Sequence, residues 1–284
     1  MDNYKKIEEN LSFFQKNNNF NTILYGKSYL GQNLYAFHKG SNLGKQLLIT
    51  ASIHAREYIS SDIVFKLMND YNIDMGCYFI PLVNPDGVRI CLEWIDWIEN
   101  EGIKNLLLQL NNNSTNFKLW KANARGVDLN VNFDAGWGES KYTKCVPSAS
   151  GYIGEFANSE IENRNLLNFI KNKNICYALN YHSKGNVVYY GFEKLNNYQY
   201  KTSKRHAVYL AKKLKYKAVR SIGSTGGLSD YLFYKCNIPS LTIELGNDNF
   251  NHPIKLAWSD IIYKNHYIAL QKFINKVKHD FRFT

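Results

Sequence analysis

No run of about eighteen apolar residues, the length a membrane-spanning helix needs, occurs anywhere in the 284-residue sequence. The opening Met1-Asp2-Asn3-Tyr4-Lys5-Lys6 also lacks the apolar core of a signal peptide, so the expectation is a cytoplasmic protein with no membrane span. Cysteines are few and scattered. Cys77, Cys91, Cys145, Cys176 and Cys236 form no close-spaced pair, which argues against a cysteine-based metal site or a disulfide framework. No internal repeat, low-complexity linker or second core interrupts the chain, and residues 1–284 read as a single domain. Acidic residues are in short supply, 24 against 35 basic ones, for a formal net charge of +11. The excess lies on amphipathic faces around Lys201, Lys204, Arg205, Lys212 and Lys213, with no nucleic-acid-binding motif beside it. It therefore reads as solvated surface, compatible with an acidic small substrate but not with a nucleic-acid partner.

What is present is a sizeable apolar content, 45%, arranged in short runs. Ile7, Leu11 and Phe14 mark a leading helix over Tyr4 to Gln15, and two strands follow around Leu30-Gly31-Gln32. Leu47 to Ile53 reads as a buried strand, Ser60 to Tyr71 as a helix and Cys77 to Val83 as a strand ended by Asn84-Pro85-Asp86-Gly87. This is a βαβ rhythm, for which a right-handed crossover between parallel strands is expected. Arg89 to Ala122 reads as an irregular insertion, and Ser159-x-x-Glu162 as a capping box opening a helix. Ile175 to Tyr181 and Pro239 to Ile243 are further buried strands, with a helix from about Lys201 to Leu214 between them. A short helix follows Gly226-Gly227, and one long amphipathic helix is expected from Lys255 to Lys278. The class is α/β.

Three of the apolar runs stop in polar residues: His54, Arg56 and Glu57, then His182, Ser183 and Lys184, then Glu244. In open α/β sheets ligands bind outside the carboxyl ends of the strands. Taken singly, each residue has a bland explanation: a surface pair, a core histidine, an ion-paired carboxylate. Taken together, two imidazoles and a carboxylate form a common catalytic zinc set that leaves a coordination position for water, and Glu244 suits the role of acid/base beside it.

The sequence resembles the zinc carboxypeptidase family that includes the pancreatic enzymes. The motifs occur in the family's order: His54-Ala55-Arg56-Glu57, Asn84-Pro85-Asp86-Gly87, Gly126-Val127-Asp128-Leu129-Asn130-x-Asn132-Phe133, Tyr181-His182-Ser183, Gly226-Gly227 and Thr242-Ile243-Glu244. The resemblance implies a mixed, mostly parallel sheet of about eight strands between helices. It also implies one Zn²⁺ per chain held by His54, Glu57 and His182, with Glu244 as general acid/base and Asp128 orienting the first histidine.

Departures from the family pattern point to a subclass. Ordinary members grip the substrate's terminal carboxylate with an Asn-Arg pair; Asn130 is retained here, but the arginine position is Val131. The family's mobile tyrosine aligns with Ile222, and the arginine that polarises the scissile carbonyl aligns with Lys121, with Arg125 as an alternative. The phrases Trp120 to Asn130, Asn132 to Trp137 and Tyr181 to Gly185 are similar to one branch, the γ-D-glutamyl-diaminopimelate peptidases of bacterial cell-wall stem peptides. That resemblance implies a peptidoglycan-derived substrate whose carboxylates meet Arg56, Arg125 or Lys184, in the cytoplasm or inside a sporulating cell. A conventional metallocarboxypeptidase and an inactive wall-peptide binder are the alternatives.

Overall fold

The computed structural model describes residues 3–281. Eight segments pair into one mixed sheet: β1 (Asn21–Lys27), β2 (Asn33–Lys39), β3 (Gln46–Ala51), β4 (Cys77–Ile80), β5 (Ile175–Ser183), β6 (Val187–Tyr190), β7 (Lys217–Arg220) and β8 (Ser240–Leu245). Their order is β1-β2-β4-β3-β5-β8-β6-β7. The pairs β3–β4, β3–β5, β5–β8 and β6–β7 are parallel, and β1–β2, β2–β4 and β6–β8 antiparallel, so β4, β3, β5 and β8 form a continuous parallel block in the middle of the sheet and β6–β7 a parallel pair at one edge. The helices are α1 (Tyr4–Lys16), α2 (Ile59–Asp70), α3 (Pro85–Glu93), α4 (Glu101–Leu110), α5 (Ile161–Lys171), α6 (Asn197–Leu214), α7 (Leu228–Tyr234), α8 (Ser259–Tyr263) and α9 (His266–Phe281).

Alternation along the central strands sorts their side chains onto two covered faces. Leu47, Ile49, Tyr177, Leu179, Leu241 and Ile243 point to a layer made by α2, α6 and α9. Leu48, Ile80 and Ala178 point the other way, against Leu166 and Phe169 of α5 and Leu228 and Leu232 of α7. With both faces covered, polar side chains inside these strands need partners, as Thr50 has in Asn180, to whose Oδ1 its hydroxyl donates at 2.7 Å, while the charged and imidazole groups lie at the strands' ends.

Several local expectations change. Asn84-Pro85-Asp86-Gly87 does not merely end β4; it starts α3, with the Asn84 side chain accepting from Gly87 N at 3.0 Å and proline at the first helical position. The stretch expected to be irregular therefore holds two helices, α3 and α4, before the Asn111-Asn112-Asn113 loop. The tail is not one helix: a 3₁₀ turn over Leu256–Trp258, α8 and α9 succeed one another, leaving Trp258, Ile261 and Ile268 exposed. Strands β6 and β7 carry a β-branched and aromatic signal in Val187-Val188-Tyr189-Tyr190 and Ala218-Val219, but at four residues each they are short.

The Ser159 capping box is replaced by another arrangement. Glu160 is the N-cap of α5, and the Ser159 hydroxyl donates to Glu160 Oε1 at 2.7 Å. Glu162 turns inward and accepts from Tyr29 N at 3.0 Å. Burial, reinforced by the charge of Asp86, pushes the Glu162 carboxyl up to about 7. The native state thus holds a proton that the unfolded chain has released, so this group's contribution to stability is greatest below about pH 4.5 and falls as pH rises towards 7. Glu162→Gln should remove that slope, and the shift corresponds to roughly 3 kcal/mol at most. Melting curves from pH 4.5 to 8 check it: the variant should gain on the parent as pH rises, and parallel curves would show that Glu162 titrates normally.

Candidate metal centre and active site

His54, Glu57, His182 and Glu244 meet at the carboxyl ends of β3, β5 and β8. The chain leaves β3 through Ser52, whose φ of 50° is in the left-handed region, and whose buried hydroxyl lies 2.6 Å from Ser61 Oγ. A 3₁₀ turn over Ala55–Glu57 follows, with His54 as its N-cap. Because a 3₁₀ helix has three residues per turn, positions 54 and 57 lie one above the other, so the spacing brings imidazole and carboxylate together. The turn is anchored from outside. Asn84 Nδ2 donates to Ile53 O at 3.2 Å and to Ala122 O at 3.1 Å, and Ala55 N donates to Lys121 O at 3.1 Å. His182 and Glu244 are register partners on the parallel strands β5 and β8, which places their side chains side by side on one face.

The three expected ligand groups converge. His54 Nδ1 lies 2.9 Å from Glu57 Oε1, His182 Nδ1 3.0 Å from Glu57 Oε2, and the two Nδ1 atoms 3.2 Å from each other. All three residues are buried. Ligands about 2.0–2.2 Å from a tetrahedral ion stand roughly 3.3–3.5 Å apart, so this donor set fits zinc with little adjustment. Two ring nitrogens this close need a positive charge or a proton between them. Ser183 N donates to Glu57 Oε2 at 3.2 Å and fixes the carboxylate.

Asp128 organises the next layer. Its Oδ1 lies 3.2 Å from His54 Nε2 and its Oδ2 2.9 Å from Lys121 Nζ. The His54 contact is within ion-pair distance but bent away from the N–H axis, since that nitrogen makes no well-aligned hydrogen bond. Asp128 also accepts from Asn130 N and Gly151 N, both at 3.2 Å. Burial raises the carboxyl pKa of Asp128, but Lys121 and His54 outweigh it and hold the group ionised, far below the usual range. Burial lowers the Lys121 ammonium, and the charges of Asp128 and Glu57 more than reverse this. With its proton on Nε2, facing Asp128, His54 offers the Nδ1 lone pair to a metal. Asp128→Asn should therefore weaken zinc affinity by about 10–100-fold, read by competition with a chelator; unchanged affinity would mean that Asp128 serves only to hold Lys121.

A cleft of about 590 Å³ opens beside the cluster, within the usual range of ligand pockets. Its lining includes His54, His182, Glu244, Lys121, Asn130, Val131, Ile222 and the hydroxyl-bearing Ser221, Ser229 and Thr242. Glu244 faces it. Burial, with the charge of Glu57 adding and those of His182 and Lys121 opposing, pushes its carboxyl up to about 8. The segment carrying Asn130 and Val131 is pressed onto the start of α7: Leu228 N donates to Asn130 Oδ1 at 3.0 Å, and a Cβ on Gly226 would fall 2.6 Å from Val131 O. Gly226 therefore has to be glycine.

Not every residue named from sequence reaches the cleft. Arg125 is turned away, 2.8 Å from Glu155 and 3.6 Å from Glu160, and is not among the lining residues. Arg56 and Lys184 also lie outside the lining, Arg56 with its Nη1 3.5 Å from Leu119 O and Lys184 with its Nζ 3.3 Å from Asp248 O. His252, unremarked in the sequence, sits where it feels the charges of Arg56, Glu57, Lys184 and His54. No motif marks it, because the loop after β8 brings it in from outside the sheet.

Comparison with known proteins agrees with this geometry. The zinc carboxypeptidase family profile matches residues 12–265. Gamma-D-glutamyl-L-diamino acid endopeptidase 1 of Lysinibacillus sphaericus is 30% identical over 283 residues, which covers 93% of this chain and 68% of that relative. Among solved structures, bovine thrombin-activatable fibrinolysis inhibitor in complex with tick carboxypeptidase inhibitor superposes with a TM-score of 0.76 at 20% identity, covering 98% of this chain and 96% of that one. Murein-tripeptide amidase MpaA from Escherichia coli O157 gives 0.60 at 20% identity, over 88% of this chain and 90% of that one. The profile takes in every strand of the sheet and all the strand ends that carry the polar cluster, so the chain belongs to the zinc carboxypeptidase family and is a zinc-dependent metallopeptidase.

Proposed function

We propose that this metallopeptidase hydrolyses the γ-D-glutamyl-diaminopimelate bond of bacterial cell-wall stem peptides. The observation that carries the reading is Val131. It lines the cleft at the position where ordinary members of the family grip a terminal carboxylate, and an apolar side chain there offers no charge to a free C-terminus. A site without that clamp accepts a residue whose chain continues, as in a stem peptide. The name of the Lysinibacillus sphaericus relative supports the same bond type.

In this reading His54, Glu57 and His182 hold one zinc per chain. Bound zinc supplies Lewis acidity, acidifying a water and polarising a carbonyl. Glu244 accepts the proton of the attacking water as its oxygen bonds to the γ-carbonyl carbon. The C–N bond then breaks, and Glu244 returns that proton to the departing diaminopimelate nitrogen. Lys121, held in place by Asp128, presents its ammonium to the negative charge that develops on the carbonyl oxygen. Asn130 lines the leaving-group side.

Residues 1–284 form one zinc peptidase domain in this account, supported by the single sheet that spans β1 to β8. No described helix is long and apolar enough to cross a membrane. All five cysteines are free, which supports work in a reducing compartment such as the cytoplasm, including that of a sporulating cell. The test is a pair of isomeric stem tetrapeptides joined through the γ- or the α-carboxyl of D-glutamate and continuing beyond diaminopimelate, with products identified by mass. Cleavage of the γ-isomer alone is expected. Preference for the α-isomer contradicts the proposal, and inertness towards both leaves a binding protein.

A further inference from the structure

Two loops are fastened to each other where the cleft passes Val131. Residues 132–143 continue from the Asn130–Val131 segment, and residues 221–227 join β7 to α7. Phe133 N donates to Gly226 O at 3.0 Å, Gly226 N to Ala135 O at 2.8 Å, Thr225 Oγ1 to Gly136 O at 2.5 Å and Ser140 Oγ to Gly223 O at 2.9 Å. These bonds fix the loops relative to each other. The tip of the first turns back on itself, with Tyr142 N donating to Ser140 Oγ at 3.2 Å and Thr143 Oγ1 to Ser140 O at 2.7 Å. A Cβ on Gly223 would fall 3.2 Å from Lys141 Cε, and Lys141 Nζ stands 5.0 Å from the centre of the Tyr142 ring, so the lysine braces that ring against the second loop. The pair of loops presents two large side chains to solvent, Tyr142 at 65% exposure and Ile222 at 63%. Both line the same cleft as His54, His182 and Glu244. A lone exposed apolar residue needs no explanation, but two on fastened loops at a catalytic cleft mark a contact surface.

We propose that Tyr142 and Ile222 form the subsite for the residue that follows diaminopimelate, so that stem peptides extended beyond diaminopimelate are taken in preference to those that end there. This rests on the wall-peptide reading above and names its substrate class as the tetrapeptide stem or longer. At Val131 the leaving residue meets no fixed charge, which suits an amide in place of a terminal carboxylate. A chain that continues past Val131 runs onto the two loops fastened beside it. There the side chain of its next residue loses water against the Tyr142 ring and the Ile222 side chain, while Ser221 and Ser224, which line the cleft from the second loop, offer hydroxyls to its backbone.

The experiment measures kcat/KM for three γ-linked stem peptides, one ending at diaminopimelate and two extended by D-alanine or by D-leucine, with products identified by mass. The proteins are the zinc-loaded parent, Tyr142→Ser, Ile222→Ser, the double serine variant and Tyr142→Phe, and zinc content confirms that each keeps its centre. Every rate is divided by the same protein's rate on the peptide that ends at diaminopimelate, which cancels a general loss of activity. The parent should favour the D-alanine peptide about fourfold, the worth of one buried methyl group, and the D-leucine peptide about tenfold further. This gain should shrink in each serine variant, approach unity in the double variant and persist in Tyr142→Phe, which keeps the ring. A parent that gains nothing from the extension, or a double variant that keeps the full gain, overturns the subsite and leaves the wall-peptide reading standing. A parent inert towards all three peptides overturns that reading and the subsite with it.

Discussion

Glu244→Gln is expected to keep its zinc and to lose about 10²–10⁴-fold in kcat, the usual worth of a positioned acid/base. The amide preserves volume and hydrogen bonding but cannot take a proton from water. Glu244 is well placed for the task. It faces the cleft beside His182, its register partner on β5, within the group of residues that would hold the metal and its water. Two other carboxylates line the cleft, but Asp128 is paired with Lys121, and Asp230 accepts from Gly227 N at 3.2 Å at the start of α7. Glu139 is ion-paired with Lys194 and Glu155 with Arg125, and neither lines the cleft. Single-turnover assays on zinc-loaded protein read the effect, and turnover near the parent rate would assign the base elsewhere.

His182→Ala should have the larger structural effect. The variant leaves His54 and Glu57, both from one turn after β3, without the ligand from β5, and the ion no longer ties the two strand ends together. Dialysed protein should hold much less zinc than the parent by metal analysis. The parent's melting temperature should rise on adding zinc, as expected for a ligand that binds only the folded chain, and the variant's should scarcely move. Undiminished zinc in the variant would remove His182 from the ligand set.

The elements that position this site were legible in the sequence because each obeys a local rule. Leu47 to Ala51, Ile175 to Tyr181 and Leu241 to Ile243 are predominantly apolar runs, each broken once, by Thr50, Asn180 and Thr242, as befits strands covered on both faces, and the charged and imidazole side chains fall at their carboxyl ends. Where the readings failed, tertiary contacts outweighed local pattern. Asn84 reads as a turn former, yet its side chain both caps α3 and ties the His54 turn to the Lys121 segment, a double role visible only once those segments meet. Glu162 sits at a position that suits a solvated helix start, but Tyr29 N and the core draw it inside. The amphipathic tail shows helical periodicity throughout, but the pattern does not reveal that the chain breaks before α9. Arg125, attractive as a neighbour of Asp128 in sequence, is drawn off by Glu155 and Glu160. His252 and Ser221 in loops and Ser229 on α7 were silent because no spacing rule links such residues to strand ends far away in sequence.

The measurement that bears most directly on the account is the ratio of kcat/KM, on zinc-loaded protein, for a stem tetrapeptide cleaved at its γ-D-glutamyl-diaminopimelate bond, where the chain continues beyond diaminopimelate, to that for an ordinary peptide that loses its C-terminal residue. The missing fork at Val131 removes roughly 1.5–3 kcal/mol of charge-assisted hydrogen bonding to a terminal carboxylate, so the account predicts at least about a tenfold preference for the wall peptide. Equal or better turnover of the ordinary peptide would contradict it and would make this chain a carboxypeptidase whose clamp lies elsewhere in the cleft.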